Sequence, residues 1–136
     1  MTSVLDISTS ALAAQRARMD VIAGNIANAE ATEQPDGRPI PYRRKVVTLA
    51  TGDDHGGPGL HVAAIAEDAS PFRLVYDPGH ADAIREGPQA GYVQYPNVNV
   101  TMEYVDAMAA SRAYEANLAM LNLSRNMAQQ ALRLFA

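Results

Sequence analysis

The sequence has no cysteine among its 136 residues, so no disulfide can stabilise the folded chain. It is also poor in aromatic residues, which make up 6% of the chain and include no tryptophan. A compact core usually takes much of its buried area from aromatic side chains. The apolar content of 48% comes mostly from alanine, leucine, valine, isoleucine and methionine, a composition that suits packing between helices. Assembly with other chains is one way for such a protein to become stable.

Positive charge is also scarce, because the formal net charge is −4 and Lys45 is the only lysine. This balance gives no electrostatic case for binding nucleic acid or an anionic membrane. The cluster Arg43-Arg44-Lys45 is too short for a nucleic-acid patch, and we interpret it as a solvated strand face or an ion pair between subunits. We expect no cleavable signal peptide, because the N-terminal residues 1–6 show no basic region followed by an apolar run. We also expect no transmembrane helix and no direct membrane insertion, because no run approaches about 18 uncharged apolar residues.

Residues that could carry catalysis or bind metal are few and badly spaced. His55, His61 and His80 lie in a loop, a strand and a turn, without the converging spacing of a metal site. The glycine-rich loop 51–59 lacks the Gly-Lys-Ser/Thr ending of a phosphate-binding loop. No Gly-x-Ser-x-Gly nucleophile motif is present either. We therefore expect no cofactor, no bound metal and no enzymatic activity.

Glycine and proline are missing from both ends of the chain. All eight prolines lie between residues 35 and 96, and all nine glycines lie between residues 24 and 91. Because these residues interrupt helices, the chain divides into an N-terminal helical segment (1–30), a turn-rich middle segment (31–97) and a C-terminal helical segment (98–136). Within the middle segment we expect one small antiparallel sheet with four strands, at 42–50, 60–67, 72–76 and 91–95. The predicted fold class is α+β.

The N-terminal helix, predicted at 3–29, carries a heptad-like seam with two polar members. Its members are Leu5, Leu12, Met19 and Ile26, followed three positions later by Ser8, Gln15, Ile22 and Ala29. Asn25 and Asn28 weaken the helix near its end, because asparagine is a poor interior helix residue. We favour a helix C-cap for these two residues over a specific contact with a neighbouring element.

The C-terminal helix is predicted to start at residue 99, after a cap from Asn97 or Asn99. It would be about 35 residues and roughly 50 Å long at about 1.5 Å per residue. Two apolar stripes run along it. The first stripe is Tyr114, Leu118, Leu121, Ala128, Leu132 and Phe135, and the second stripe is Val105, Ala109, Ala113, Ala116, Met120, Leu123, Met127 and Leu134. One N-terminal helix cannot cover both stripes, so we infer that neighbouring copies or related chains cover the rest.

Four stretches of the sequence carry a family resemblance. The segment 19–29 (MDVIAGNIANA) resembles the N-terminal signature of the bacterial flagellar axial proteins that build the rod and the hook. The segments 70–80, 91–100 and 111–117 are similar to those of a proximal rod subunit of this family. The resemblance covers nearly the whole chain.

The resemblance implies a structural subunit of the flagellar basal body, located in the periplasmic rod. Such subunits leave the cytoplasm through the flagellar type III export apparatus without signal cleavage. They polymerise with copies of themselves and other rod proteins into a hollow shaft that transmits torque and conducts later subunits. Further implied partners are the hook-basal-body complement protein and the MS ring.

The resemblance also implies an architecture in which the two terminal helices pair as an antiparallel coiled coil in the inner layer, with the middle segment outside. Two alternatives stay open from the residues alone. One is a different rod or hook subunit, and the other is a soluble helical adaptor that binds one partner through the Arg43-Arg44-Lys45 cluster and the long helix.

The residues predicted to pack subunits against each other come from the heptad seam, the asparagine pair, the two stripes and Arg112. They are Leu5, Leu12, Met19, Ile22, Asn25, Ile26, Asn28, Val105, Ala109, Arg112, Tyr114, Ala116, Leu118, Met120, Leu121, Leu123, Met127 and Leu132.

Overall fold

The computed structural model describes residues 2–52 and 57–134. Its elements in chain order are α1 (Thr2–Ala27), β1 (Lys45–Thr51), β2 (Leu60–Glu67), β3 (Arg73–Tyr76), β4 (Tyr92–Tyr95) and α2 (Val100–Leu134). The predicted α+β class is confirmed, and every predicted element is present with its ends shifted by no more than three residues. Two residues named above, His55 and Phe135, lie outside the described residues.

The two helices pack against each other in antiparallel directions, as predicted. Asn25, near the end of α1, is bonded to Glu103 in the first turn of α2. At the opposite end of the pair, Leu5 lines a cavity with Ser124 and Ala128. Because the start of α1 lies beside this part of α2, the last turn of α2 extends past the end of its partner helix.

The strands β1 and β2 form a hairpin that packs on α1. Its register pairs Lys45 with Glu67 at one end, and a bulge between Thr48 and Leu49 shifts the rest of the ladder. The turn end of the hairpin is fixed by Ser10 of α1, whose hydroxyl oxygen accepts a hydrogen bond from the Leu60 N–H at 3.1 Å. This hairpin and α1 therefore form one packed unit.

The strands β3 and β4 form a second antiparallel pair, separate from the first. The prediction of a single four-stranded sheet was therefore wrong. The reason lies in residues 68–72, which join the two pairs. The side-chain amide of Asn97 donates hydrogen bonds to the carbonyls of Asp68 and Ser70, at 3.1 and 3.2 Å, so these backbone groups are bonded outside any strand ladder.

The core is small and made largely of alanine. The buried apolar residues in the described part of the chain are Ala11, Ala14, Ile22, Ala29, Val93 and Ala110, together with Pro41 and Pro96. The largest fully buried side chain is a charged one, Glu103. Neither α1 nor α2, as described, has an apolar stretch long enough to cross a membrane. A core of this composition buries little apolar area, so the isolated chain gains limited hydrophobic stabilisation.

Candidate assembly surface

The fully buried apolar side chain of α2 is small, whereas several of its large apolar side chains face outward. Ala110 is fully buried, whereas Met120, Leu123 and Met127 are 55, 53 and 62% exposed. In a protein that acts alone, the larger apolar residues of a helix usually face the core. The reversed arrangement of α2 indicates that a second partner covers its outer side.

The exposed residues of α2 follow the second stripe. Its members Val105, Ala109, Ala116, Met120, Leu123, Met127 and Leu134 are exposed, and Ala113 is half-buried. At about 100° per residue, these positions lie on one continuous side of the helix, next to the side that faces α1. The second stripe therefore extends along most of α2 as an uncovered apolar surface.

The first stripe is divided between the interior and the surface. Tyr114, Leu121 and Ala128 are half-buried, and Ala128 lines the same cavity as Leu5 of α1. Leu132, in the last turn of α2, is 71% exposed because the helix extends past α1 there. This stripe thus includes part of the contact with the chain's own N-terminal helix.

The eighteen predicted packing residues separate into two equal groups. The exposed ones are Val105, Ala109, Arg112, Ala116, Leu118, Met120, Leu123, Met127 and Leu132. The buried or half-buried ones are Leu5, Leu12, Met19, Ile22, Asn25, Ile26, Asn28, Tyr114 and Leu121. Only the first group, all of it on α2, offers side chains to another chain without a rearrangement.

Asn25 corrects the favoured interpretation of the asparagine pair. Its side chain is buried, and its amide donates hydrogen bonds to Glu103 Oε2 at 3.0 Å and to the Lys45 carbonyl at 2.8 Å. Its Oδ1 accepts from the Lys45 N–H at 2.9 Å and from the Tyr42 hydroxyl at 3.1 Å. Asn25 is therefore a specific long-range contact. Asn28 behaves as the C-cap interpretation predicted, since its amide bonds only locally, to the Gly24 carbonyl.

Arg44 pairs with Glu103, the same carboxylate that Asn25 contacts. This ion pair corrects the interpretation of the basic cluster 43–45. Its guanidinium lies 2.6 Å from Glu103 Oε1, 3.4 Å from Asp68 Oδ2 and 3.6 Å from Asp106 Oδ2. Burial opposes its charge, but the hydrogen bonds and attraction of Glu103 and Asp68 outweigh burial and raise the pKa of Arg44. Arg44 is thus an internal ion-pair partner, not part of a solvated face. We call Asn25, Arg44 and Glu103 the polar junction.

The neighbouring residue Arg43 is engaged in the same way. Its guanidinium donates to the carbonyls of Asp68 and Ser70, at 2.9 and 3.1 Å, and lies 4.3 Å from the ring centroid of Phe72. Both arginines of the cluster are therefore used within the chain. The adaptor alternative loses the basic contact on which it depended.

Sequence reasoning missed the polar junction because its members are 78 positions apart at their widest separation. Glu103 looked like a favourable charge at the start of a helix, and Arg44 looked like one of three equivalent basic residues. One signal was available: Asn25 occupies a helix interior position, where asparagine needs a compensating hydrogen bond. The choice between Asn97 and Asn99 is also resolved, since Asn99 Oδ1 accepts from the N–H groups of Thr101 and Met102 and so caps α2.

The described histidines make ordinary contacts. His61 Nδ1 lies 2.7 Å from the Gly52 carbonyl, and His80 Nδ1 lies 3.8 Å from an Asp82 carboxylate oxygen. No group of three or more potential metal ligands occurs within residues 2–52 and 57–134. The uncovered stripe of α2 is thus the feature of the described chain that most needs a functional explanation.

Comparison with known proteins identifies the family to which the whole chain is similar. The family described as "Flagella basal body rod protein" matches residues 5–33, and "Flagellar basal body rod FlgEFG protein C-terminal" matches residues 89–134. The flagellar basal-body rod protein FlgC of Borreliella burgdorferi is 42% identical and aligns over 96% of this chain and 94% of its own length. The chain belongs to the FlgC family of flagellar basal-body rod proteins.

Two further FlgC proteins show the same extent of similarity. That of Bacillus subtilis is 42% identical over 96% of this chain and 95% of its own length. That of Salmonella typhimurium is 40% identical over 98% of this chain and 97% of its own length. The resemblance to flagellar axial proteins is confirmed and is narrowed to the FlgC family. The prediction that the protein is a structural subunit and not an enzyme is confirmed as well, because the FlgC family is a structural one.

Proposed function

We propose that this FlgC-family chain builds the proximal rod of the flagellar basal body by packing the second stripe of α2 against neighbouring rod subunits. The observation that carries the proposal is the exposure of Met120, Leu123 and Met127 on a helix that already has one partner. Each of these side chains is already partly covered in the free chain, so burying its exposed part stabilises an assembly by about 1 kcal/mol. A stripe of these residues along α2 therefore provides a substantial driving force for association.

The neighbours are copies of this chain and other flagellar rod proteins. Contacts between different faces of successive subunits do not close on themselves, and they produce a helical filament. In this arrangement segments 1–30 and 98–136 form the inner, helical layer, and segment 31–97 forms the outer layer. The resulting hollow shaft transmits torque and conducts exported subunits.

The remaining partners follow from the place of a proximal rod subunit. They are the MS ring, the hook-basal-body complement protein and, during secretion, the flagellar type III export apparatus. The chain would leave the cytoplasm without signal cleavage. The absence of cysteine supports this route, because no disulfide can obstruct the passage of an unfolded chain through a narrow channel.

The test places a charge on the second stripe without touching the contact with α1. Met120→Asp is the informative variant, because Met120 is 55% exposed and an aspartate there should leave the isolated subunit folded. Asn122→Asp is the matched control, because Asn122 is also exposed but lies on the opposite side of α2 from the second stripe. Leu121→Asp is less suitable, since Leu121 is half-buried and its loss also affects folding.

Each variant is expressed in place of the native chain in the flagellated bacterium that encodes that chain. We expect Met120→Asp to be exported at the normal level but to abolish rod assembly, measured in isolated basal bodies, and swimming. Asn122→Asp should assemble and swim. Complete rods and normal swimming with Met120→Asp would contradict the proposed packing surface.

A further inference from the structure

The most deeply buried row of α2 side chains in the contact with α1 contains little information about the alignment of the two helices. Along α2, the positions that repeat every seven residues on the side facing α1 are Glu103, Ala110, Asn117, Ser124 and Ala131. Apart from Glu103 these side chains are small. Sliding α2 by one heptad would place one of these small side chains where another had been, so this row discriminates weakly between registers. The neighbouring row of Tyr114, Leu121 and Ala128 varies more in size, but it is only half-buried.

The α1 side of the contact adds polar groups that also specify little. Ser8 and Gln15 are both buried. Within the described chain, Gln15 Oε1 is buried and accepts no hydrogen bond. A buried acceptor without a partner costs free energy and does not favour the native alignment over a shifted one.

The polar junction is different, because its contacts are directional. Glu103 is 1% exposed, and its two carboxylate oxygens are bonded separately, Oε2 to the Asn25 amide at 3.0 Å and Oε1 to Arg44 Nε at 2.6 Å. By contrast, the ion pair of Arg18 on α1 with Asp106 on α2 is long, at 3.9 Å, and both side chains are more than a third exposed. Solvent-exposed pairs of this kind contribute little.

A slip by one heptad would carry Glu103 about 10 Å along α1, away from Asn25. It would leave a buried carboxylate without its amide partner, which is one of the most unfavourable changes in a protein interior. The Asn25 side chain cannot move along with Glu103, because it is also held by the backbone of Lys45. Its amide N–H donates to the Lys45 carbonyl, and its Oδ1 accepts from the Lys45 N–H. We propose that the polar junction fixes the axial register of α1 against α2.

If the second stripe packs against neighbouring subunits, as proposed above, the register of α1 against α2 also affects assembly. It determines how far the last turn of α2 extends past α1, and so which part of the second stripe each neighbour meets. The register itself is a property of the isolated chain. It can therefore be measured without a rod.

The experiment uses disulfide trapping in the full-length purified chain, which has no native cysteine to interfere. Leu5→Cys with Ser124→Cys reports the native register, because Leu5 and Ser124 line one cavity. Leu5→Cys with Asn117→Cys, or with Ala131→Cys, reports a slip of one heptad in either direction. Each pair is oxidised at low concentration, and the cross-linked fraction is measured on non-reducing gels.

We expect the native pair to cross-link at least tenfold more than either shifted pair when the junction is intact. The junction is then replaced with apolar residues of similar size, Asn25→Leu, Arg44→Met and Glu103→Met. In that background the shifted pairs should rise to within about threefold of the native pair. Circular dichroism establishes that the helices remain. Asn28→Ala is the control, because the Asn28 side chain bonds locally to the Gly24 carbonyl and not to α2, and it should keep the native ratio.

A second variant keeps the test decisive if the triple replacement unfolds. Glu103→Gln preserves the shape of the side chain and removes its charge, and it should raise the shifted cross-links severalfold. Native-only cross-linking in a helical junction variant would overturn the proposal. Equal cross-linking of all three pairs with the junction intact would overturn it too. A variant that slips but still builds a working rod would support the register lock and count against the proposed use of the second stripe.

Discussion

The side-chain amide of Asn25 donates a hydrogen bond to Glu103 Oε2 over 3.0 Å, across 78 positions of the sequence. Both residues are 1% exposed. A buried carboxylate is tolerated only when it is paired and hydrogen-bonded, so Glu103 depends on Asn25 and on Arg44. Because Asn25 belongs to α1, Arg44 directly precedes β1 and Glu103 lies in the first turn of α2, one small group of polar atoms joins the three elements.

Asn25→Ala should destabilise the free subunit far more than Asn28→Ala, although both change the same residue type near the end of α1. The first removes hydrogen bonds to Glu103, Lys45 and Tyr42, and the second removes one local bond to Gly24. Leaving buried polar groups unpaired costs about 1–3 kcal/mol, whereas a partly exposed local bond costs about 0.5–1 kcal/mol. Urea unfolding followed by circular dichroism measures the difference, and equal losses would contradict the specific role of Asn25.

Arg44→Ala and Glu103→Gln should be strongly coupled. Removing Arg44 alone leaves the buried carboxylate of Glu103 without its cation, which should cost about 3 kcal/mol or more. In the Glu103→Gln background the same change removes a partner from a neutral amide and should cost much less. A double-mutant cycle on the free energy of unfolding measures this coupling, and additive effects would show that the pair at 2.6 Å contributes no specific energy.

The helices were predictable because their signals are local. The regions without proline and almost without glycine became α1 and α2, since Gly24 is the one such residue in either helix, and the strand β2 has the predicted bounds of 60–67. The two stripes of α2 were also visible from the spacing of apolar residues, since helical periodicity fixes which positions share a side. What spacing could not show is that the chain's own α1 covers part of the first stripe and leaves the second one open.

The polar junction could not be predicted, because its pairing depends on how three distant segments meet. Arg43 and Arg44 are adjacent and chemically identical, yet Arg44 reaches Glu103 while Arg43 stacks on Phe72. The split of the middle segment into two sheets was missed for the same reason. It depends on Asn97, which bonds the backbone of Asp68 and Ser70 from 27 or more positions away.

Gly91→Ala should be more costly than Gly87→Ala, although both glycines have a positive φ, of 85° and 93°. Both substitutions impose backbone strain of about 1–2 kcal/mol. At Gly91, a Cβ atom would also lie 2.8 Å from the ring of Tyr76, whereas nothing lies within 4 Å at Gly87. The ring must then move from its edge contact with Tyr92, where the centroids are 5.2 Å apart, and this loss adds about 0.5–1.5 kcal/mol.

Thermal unfolding of the two glycine variants measures this difference. The double variant Gly91→Ala with Tyr76→Ala supplies the control, because without the ring the cost of the alanine should fall to that of Gly87→Ala. Equal melting temperatures for the two single variants would mean that the close approach to Tyr76 is unimportant.

Tyr42 should make the subunit lose stability at alkaline pH. Burial, followed by the negative charges of Glu103 and Glu67, raises the pKa of Tyr42 above its ordinary value of 10.0. Above about pH 10 the unfolded chain therefore releases the phenol proton first, and stability falls as the pH rises towards the folded pKa.

Tyr42→Phe should be less stable at pH 8, because it loses the bond to Asn25, but its deficit should shrink between pH 10 and 11. Tyr104→Phe, at an exposed position of α2, is the matched control for removing a phenol. A deficit for Tyr42→Phe that stays constant over this range in urea unfolding would show that the junction does not resist ionisation of Tyr42.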